Sequence, residues 1–116
     1  MNRTATPQEI VGSQLIAYNA RDLQAYCALF ADHAVIRLLN GRDIARGVEA
    51  IRAYYRVRFS EPNLHCTVLS RLALGDHVID HEQVVGVTEQ LLEVIAIYEV
   101  REGLIQAVDF IWPRTG

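Results

Sequence analysis

The chain predicts an α+β fold in which three helices in its first half are followed by strands that complete a sheet. Two patterns carry this. Up to Phe59 apolar residues recur at helical spacing in three short segments, with a strand-like run between the second and third. From residue 64 onward they alternate in runs separated by Gly-containing turns. With 116 residues and 51% apolar content, residues 1–116 suit one domain with a real core.

Thr6-Pro7-Gln8-Glu9 opens helix one, with a capping hydroxyl, Pro at the first helical position and Glu placed to complete a capping box. Val11, Leu15 and Tyr18 then give it a buried stripe. Asp22 caps a second helix expected to carry Leu23, Tyr26, Leu29 and Phe30. Helix three begins near Gly47, repeats apolar residues at Val48, Ile51, Tyr55 and Phe59, and cannot pass Pro62.

Residues 64–74, 77–87, 91–101 and 104–112 read as strands rich in Val, Ile, Leu, Thr and aromatics. A two-residue turn at Gly75-Asp76 sets Arg71 opposite Asp80. Around Arg101-Glu102-Gly103 a two-residue loop pairs Ala96 with Asp109, and a three-residue loop pairs it with Val108. The second suits Gly103 better, as the left-handed residue of a bulged turn. It puts Leu92, Val94, Ala96 and Tyr98 on one face with Gln106, Val108, Phe110 and Trp112, a suitable pocket wall. The opposite face, with Ile95, Ile97, Ile105, Ala107 and Ile111, is too apolar for water. A homodimer through Ile95, Ile97, Ile105 and Ile111 is therefore expected.

A net charge of −3 with dispersed basic residues gives no attraction for nucleic acid or anionic lipid. No apolar run approaches a membrane span, and the polar N-terminus MNRTATPQE has no signal-peptide pattern. Cys27 and Cys66 sit among apolar neighbours, as buried free thiols of a cytoplasmic protein would; a disulfide stays open. His77 and His81, four apart on a strand, lie roughly 13 Å from each other, too far to share a metal ion. No nucleophile elbow, phosphate-binding glycine loop or Cys-x-x-Cys occurs, so no metal or cofactor is expected.

The run NARDLQAYCALFADHAVIRLLNG followed by RGVEAIRAYYRVRF, residues 19–59, resembles the opening of nuclear transport factor 2-like (NTF2-like) proteins, the SnoaL-like cyclases and ketosteroid isomerase. The resemblance implies a cone of three helices on a curved, mostly antiparallel sheet enclosing a pocket. Back-to-back dimers are common in that family. The isomerases use an Asp base and an oxyanion hole of Tyr and protonated Asp. Matched residue by residue, this chain has Leu38 at the base, Gln14 at the oxyanion-hole Tyr and Ala96 at the oxyanion-hole Asp. The supporting Tyr is retained as Tyr55. Steroid isomerisation is therefore not expected.

Strand parity, and the match to a pocket aromatic of the isomerases, point His81 inward and Asp80 and Glu82 outward. His81 and Tyr55 are then the expected catalytic residues, with Gln14 also able to hold a carbonyl. The expected wall for a small apolar ligand is Gln14, Tyr18, Leu38, Ala96, Tyr98, Val108, Phe110 and Trp112. Two readings stay open: an isomerase, cyclase or hydrolase-like enzyme, or a non-catalytic ligand-binding or dimerisation module. In the second, His81 is a core histidine bonded to Tyr55, Ser70 or Gln83. Whether the pocket is open, and whether His81 borders it, separates them.

Overall fold

The capping box at Thr6 forms in full: its hydroxyl accepts from the Glu9 N–H at 3.2 Å, and the Glu9 carboxylate accepts from the Thr6 N–H at 2.8 Å. These contacts start α1 (Pro7–Ala20) in a computed structural model that describes residues 5–39 and 41–113. Asp22 caps α2 (Leu23–Cys27) by accepting from the Ala25 N–H. The chain continues as β1 (Phe30–Leu38), β2 (Asp43–Arg46), α3 (Val48–Arg58), β3 (His65–Leu74), β4 (His77–Val85), β5 (Leu92–Arg101) and β6 (Leu104–Ile111).

The second helix is shorter than its apolar spacing suggested. Leu29 and Phe30 leave it because the Leu29 carbonyl accepts from the Ile105 N–H and Phe30 pairs with Ile105, a long-range contact invisible to local periodicity. The short strand β2, which no local pattern announced, folds back antiparallel on β1.

The six strands form one open mixed sheet in the order β2-β1-β6-β5-β4-β3, antiparallel except for the parallel pair β1–β6. All three helices pack on it to make an α+β fold. Asn19 ties α1 to the sheet by accepting from the Cys66 N–H at 2.8 Å and donating to its carbonyl at 3.0 Å. Val11, Tyr26, Ile36, Ile51, Leu64, Tyr98 and Val108 fill the core between helices and sheet. Gly86, at φ +89, passes so close to Asn63 and Leu64 that a Cβ there would lie 2.6 Å from their backbone; no other residue fits.

The β5–β6 turn takes neither expected register. It is a two-residue turn, Arg101 opposite Leu104, with Glu102 at φ 56 and Gly103 at φ 75. A bulge then shifts the pairing by one residue, so Ala96 faces Phe110. The shift restores the expected face for Val94, Ala96, Tyr98, Val108 and Phe110, but it removes two residues from their expected places. Ile105 pairs with Val100 and is fully buried in the core, so it cannot serve an outer interface. Gln106 is the extra residue and bonds to His33 and to the Arg101 carbonyl instead of lining the pocket.

Parity along β4 is the reverse of the expectation. Asp80 pairs with Ala96 and Glu82 with Val94, which are inward, while His81 pairs with Ile95 on the outer face. The cause is legible in the strand: Val78 and Val84 are apolar on one parity, Ile79 and Val85 on the other, so alternation alone cannot choose. Arg71 does stand opposite Asp80, but on the inner face rather than the outer.

Candidate functional site

Between the helices and the inner sheet face lies a small cavity of about 40 Å³. Spacing within α1 aims Gln14, Leu15 and Tyr18 at it, and α3 contributes Tyr54, Tyr55 and Arg58. Cys66 comes from β3, Glu82 and Val84 from β4, Leu92, Val94 and Tyr98 from β5, and Phe110 and Trp112 from β6 and the residue after it. Tyr55, Tyr98, Cys66 and Glu82 are buried, whereas Leu15, Tyr54, Arg58, Leu92 and Phe110 are only half so and form the rim with exposed Trp112.

The polar side chains of this wall are connected. Tyr98 donates to the Gln14 side-chain carbonyl and the Gln14 amide donates to the Tyr26 hydroxyl, both at 3.4 Å. Tyr26 in turn hydrogen-bonds Tyr55, its ring centroid 4.6 Å away. Burial pushes the phenols of Tyr18, Tyr26, Tyr55 and Tyr98 above their ordinary range, which keeps them neutral donors.

Beside them Arg71 forks onto Asp80 at 2.6 and 2.8 Å, with the Asp80 side chain wholly excluded from solvent. Glu82, 5% exposed, has no such fork. Burial, and next the charge of Asp80, push its carboxyl up from 4.5 to about 7. Hydrogen bonds from Cys66 and Tyr98, and the Arg71 charge, oppose the rise. An acid so poised gives up or takes a proton near neutral pH. Burial pushes the Cys66 thiol up above its ordinary range, so it is no thiolate nucleophile.

Of the expected site residues, Gln14, Tyr18, Tyr55, Tyr98, Phe110 and Trp112 do line the cavity. Leu38 lies opposite Phe110 at the end of β1, and Ala96 and Val108 are sealed in the core, so these three stay outside its wall. His81 is not brought to the cavity. Its Nε2 lies 2.5 Å from Glu93 on the outer face, in a groove of about 380 Å³ with Ile95, Ile111, Trp112 and Pro113. Glu82 and Arg58, the two charged residues of the wall among the described residues, were missed. The pairing of β4 with Ala96 and Tyr98 was the signal that could have found Glu82. No group of three or more His, Cys, Asp or Glu placed to hold a metal ion occurs among the described residues.

The sequence model of the SnoaL-like domain matches residues 13–108, most of the chain. The protein belongs to the SnoaL-like family. No curated protein matches this SnoaL-like protein significantly by sequence. Among solved structures it is similar to an uncharacterised cystatin-fold protein from Novosphingobium aromaticivorans, with 23% identity, TM-score 0.86 and coverage of 92% of this chain and 98% of that one. A protein from Kribbella flavida provisionally assigned as a ketosteroid isomerase is 20% identical, with TM-score 0.80 over 95% of this chain and 79% of that one. One from Sinorhizobium meliloti provisionally assigned as a polyketide cyclase is 20% identical, with TM-score 0.76 over 87% and 92%. At these identities the likenesses establish the fold, NTF2-like and cystatin-like, and nothing finer.

Proposed function

We propose that this SnoaL-like protein binds a small, largely apolar molecule and moves a proton at carbon beside its carbonyl, an isomerase- or cyclase-type step with Glu82 as acid/base. The observation that carries this reading is that Glu82 is the one carboxylate on the cavity wall among the described residues, buried yet without an Arg fork of its own. The donor chain from Gln14 through Tyr26 ends at Tyr55, whose hydroxyl is left to hydrogen-bond the carbonyl oxygen as charge develops there.

A second reading, a non-catalytic ligand-binding module, draws support from the cavity's size. About 40 Å³ holds two or three waters, far less than the roughly 300 Å³ or more of an ordinary ligand pocket. In the catalytic reading only the reacting end enters, while the body rests on the rim at Leu92, Phe110 and Trp112. Two buried free thiols are consistent with a reducing, cytoplasmic setting, which we adopt as part of the proposal. No helix of the described residues is long and apolar enough to cross a membrane.

Proton exchange tests the catalytic reading without knowing the natural substrate. Small ketones and β-keto esters are incubated in deuterium oxide with the protein, and loss of the α-hydrogen signal is followed by NMR. The wild type should accelerate exchange, Glu82→Gln should lower the rate about 100-fold or more, and His81→Ala should leave it unchanged. Exchange that survives Glu82→Gln, or none with any ketone, would remove the catalytic reading.

A further inference from the structure

Among the described residues, the two charges on the cavity wall keep different company. Glu82, deep in the site, is surrounded by Arg71, Asp80, Tyr98 and Cys66. Arg58, half-buried on the last turn of α3, has no carboxylate within ion-pair distance among the described residues. Its guanidinium donates to the Tyr54 hydroxyl at 2.7 Å, lies 5.3 Å over the Tyr54 ring and hydrogen-bonds Tyr18. These partners are neutral phenols. They hold the guanidinium in place without cancelling its charge, so little rotamer entropy remains to be lost when an anion arrives. Partial burial also shields the site from salt and water, which strengthens any attraction it makes.

We propose that Arg58 sets the specificity of this cavity by receiving the carboxylate of a small oxo carboxylate whose carbonyl end reaches Glu82. The inference rests on the reading of the cavity as a proton-transfer site and adds the substrate's class and direction of entry. A planar guanidinium matches a carboxylate with two parallel hydrogen bonds. Polarity fixes the orientation: the carboxylate is attracted at the rim and, next to an acid that ionises, repelled inside. The half-buried Leu15, Leu92 and Phe110, which share the cavity lining with Arg58 and Glu82, suit a short apolar linker.

Trp112 is the chain's one tryptophan and stands on the cavity wall, so its fluorescence reports occupancy. The probes are straight-chain oxo carboxylates of rising length and the methyl esters of the same acids. The wild type should bind the best acid at least about tenfold more tightly than its ester. Arg58→Gln should abolish that difference, and Arg58→Lys should keep part of it. Equal affinity for acid and ester in the wild type, which requires no variant to fold, overturns the inference. So does a preference that survives in Arg58→Gln. Either result leaves the role of Glu82 to the exchange experiment and does not disturb it. Failure of every acid and ester to change the fluorescence overturns the inference together with the ligand-binding reading beneath it.

Discussion

Glu82 and His81 are chain neighbours whose environments differ more than their chemistry does. One residue along a strand is half a period, so His81 meets Glu93 at the surface while Glu82 is enclosed with Asp80, Arg71, Cys66 and Tyr98. The enclosure has a consequence for stability. The folded chain holds the Glu82 proton up to about pH 7, whereas an unfolded chain releases it near 4.5. Between those values the folded state binds more protons than the unfolded, so the contribution is fully present below the lower value and lost as pH rises through the upper one. The loss is on the order of 3 kcal/mol by linkage. Urea denaturation at pH 5 and pH 8 should show the wild type losing stability across that window. Glu82→Gln, which has no proton to lose, should flatten the decline; an unaltered slope in the variant would place the responsible group elsewhere.

At the scale of elements, the β5–β6 hairpin carries the most information. A mirror-image two-residue turn asks for positive φ at both central positions, and Glu102 supplies it at φ 56 at a cost that Asn does not meet. Glu102→Asn should therefore raise stability by about 0.5–1 kcal/mol, read as a higher urea midpoint with an unchanged slope. A drop in stability would mean that the turn is not the one described. The bulge at Gln106 beyond it inverts the faces of β6 partway along, burying Ile105 below while presenting Val108 and Phe110 to the inner face above. One strand thereby serves both the core and the cavity wall.

On the scale of the whole molecule, the outer sheet face remains apolar after Ile105 is subtracted. Leu72, Ile79, Ile97 and Asp109 form one cross-strand row, and His81, Ile95 and Ile111 the next. Leu72 is 71% exposed and Ile111 40%, more than a monomer's sheet ordinarily shows to water. We propose that two copies pair through this face, with Ile79, Ile95, Ile97 and Ile111 at its centre. Light scattering at tens of micromolar should report a dimer, and Ile97→Glu with Ile111→Glu should yield monomer or insoluble chain. A wild type that is monomeric at those concentrations would refute the pairing.

What this sequence determined by itself was whatever depends on neighbours a few residues away. The capping box at Thr6, the Asp22 cap, the stop before Pro62 and the Gly75-Asp76 turn are such local contacts, and through that turn the Arg71–Asp80 pair was legible too. So were six residues of the cavity wall: helical spacing gave Tyr18 and Tyr55, the β5–β6 face gave Tyr98, Phe110 and Trp112, and the resemblance to the isomerases gave Gln14. Tertiary structure decided the remainder. With valine and isoleucine on both parities of β4, only its pairing with Ala96 and Tyr98 could turn Glu82 inward and His81 out. The bulge at Gln106 inserts one residue without a local mark. The cavity's size is the residue of many side-chain volumes packed from six elements, and Glu82 becomes an acid near neutrality because that packing excludes water and sets Asp80 nearby.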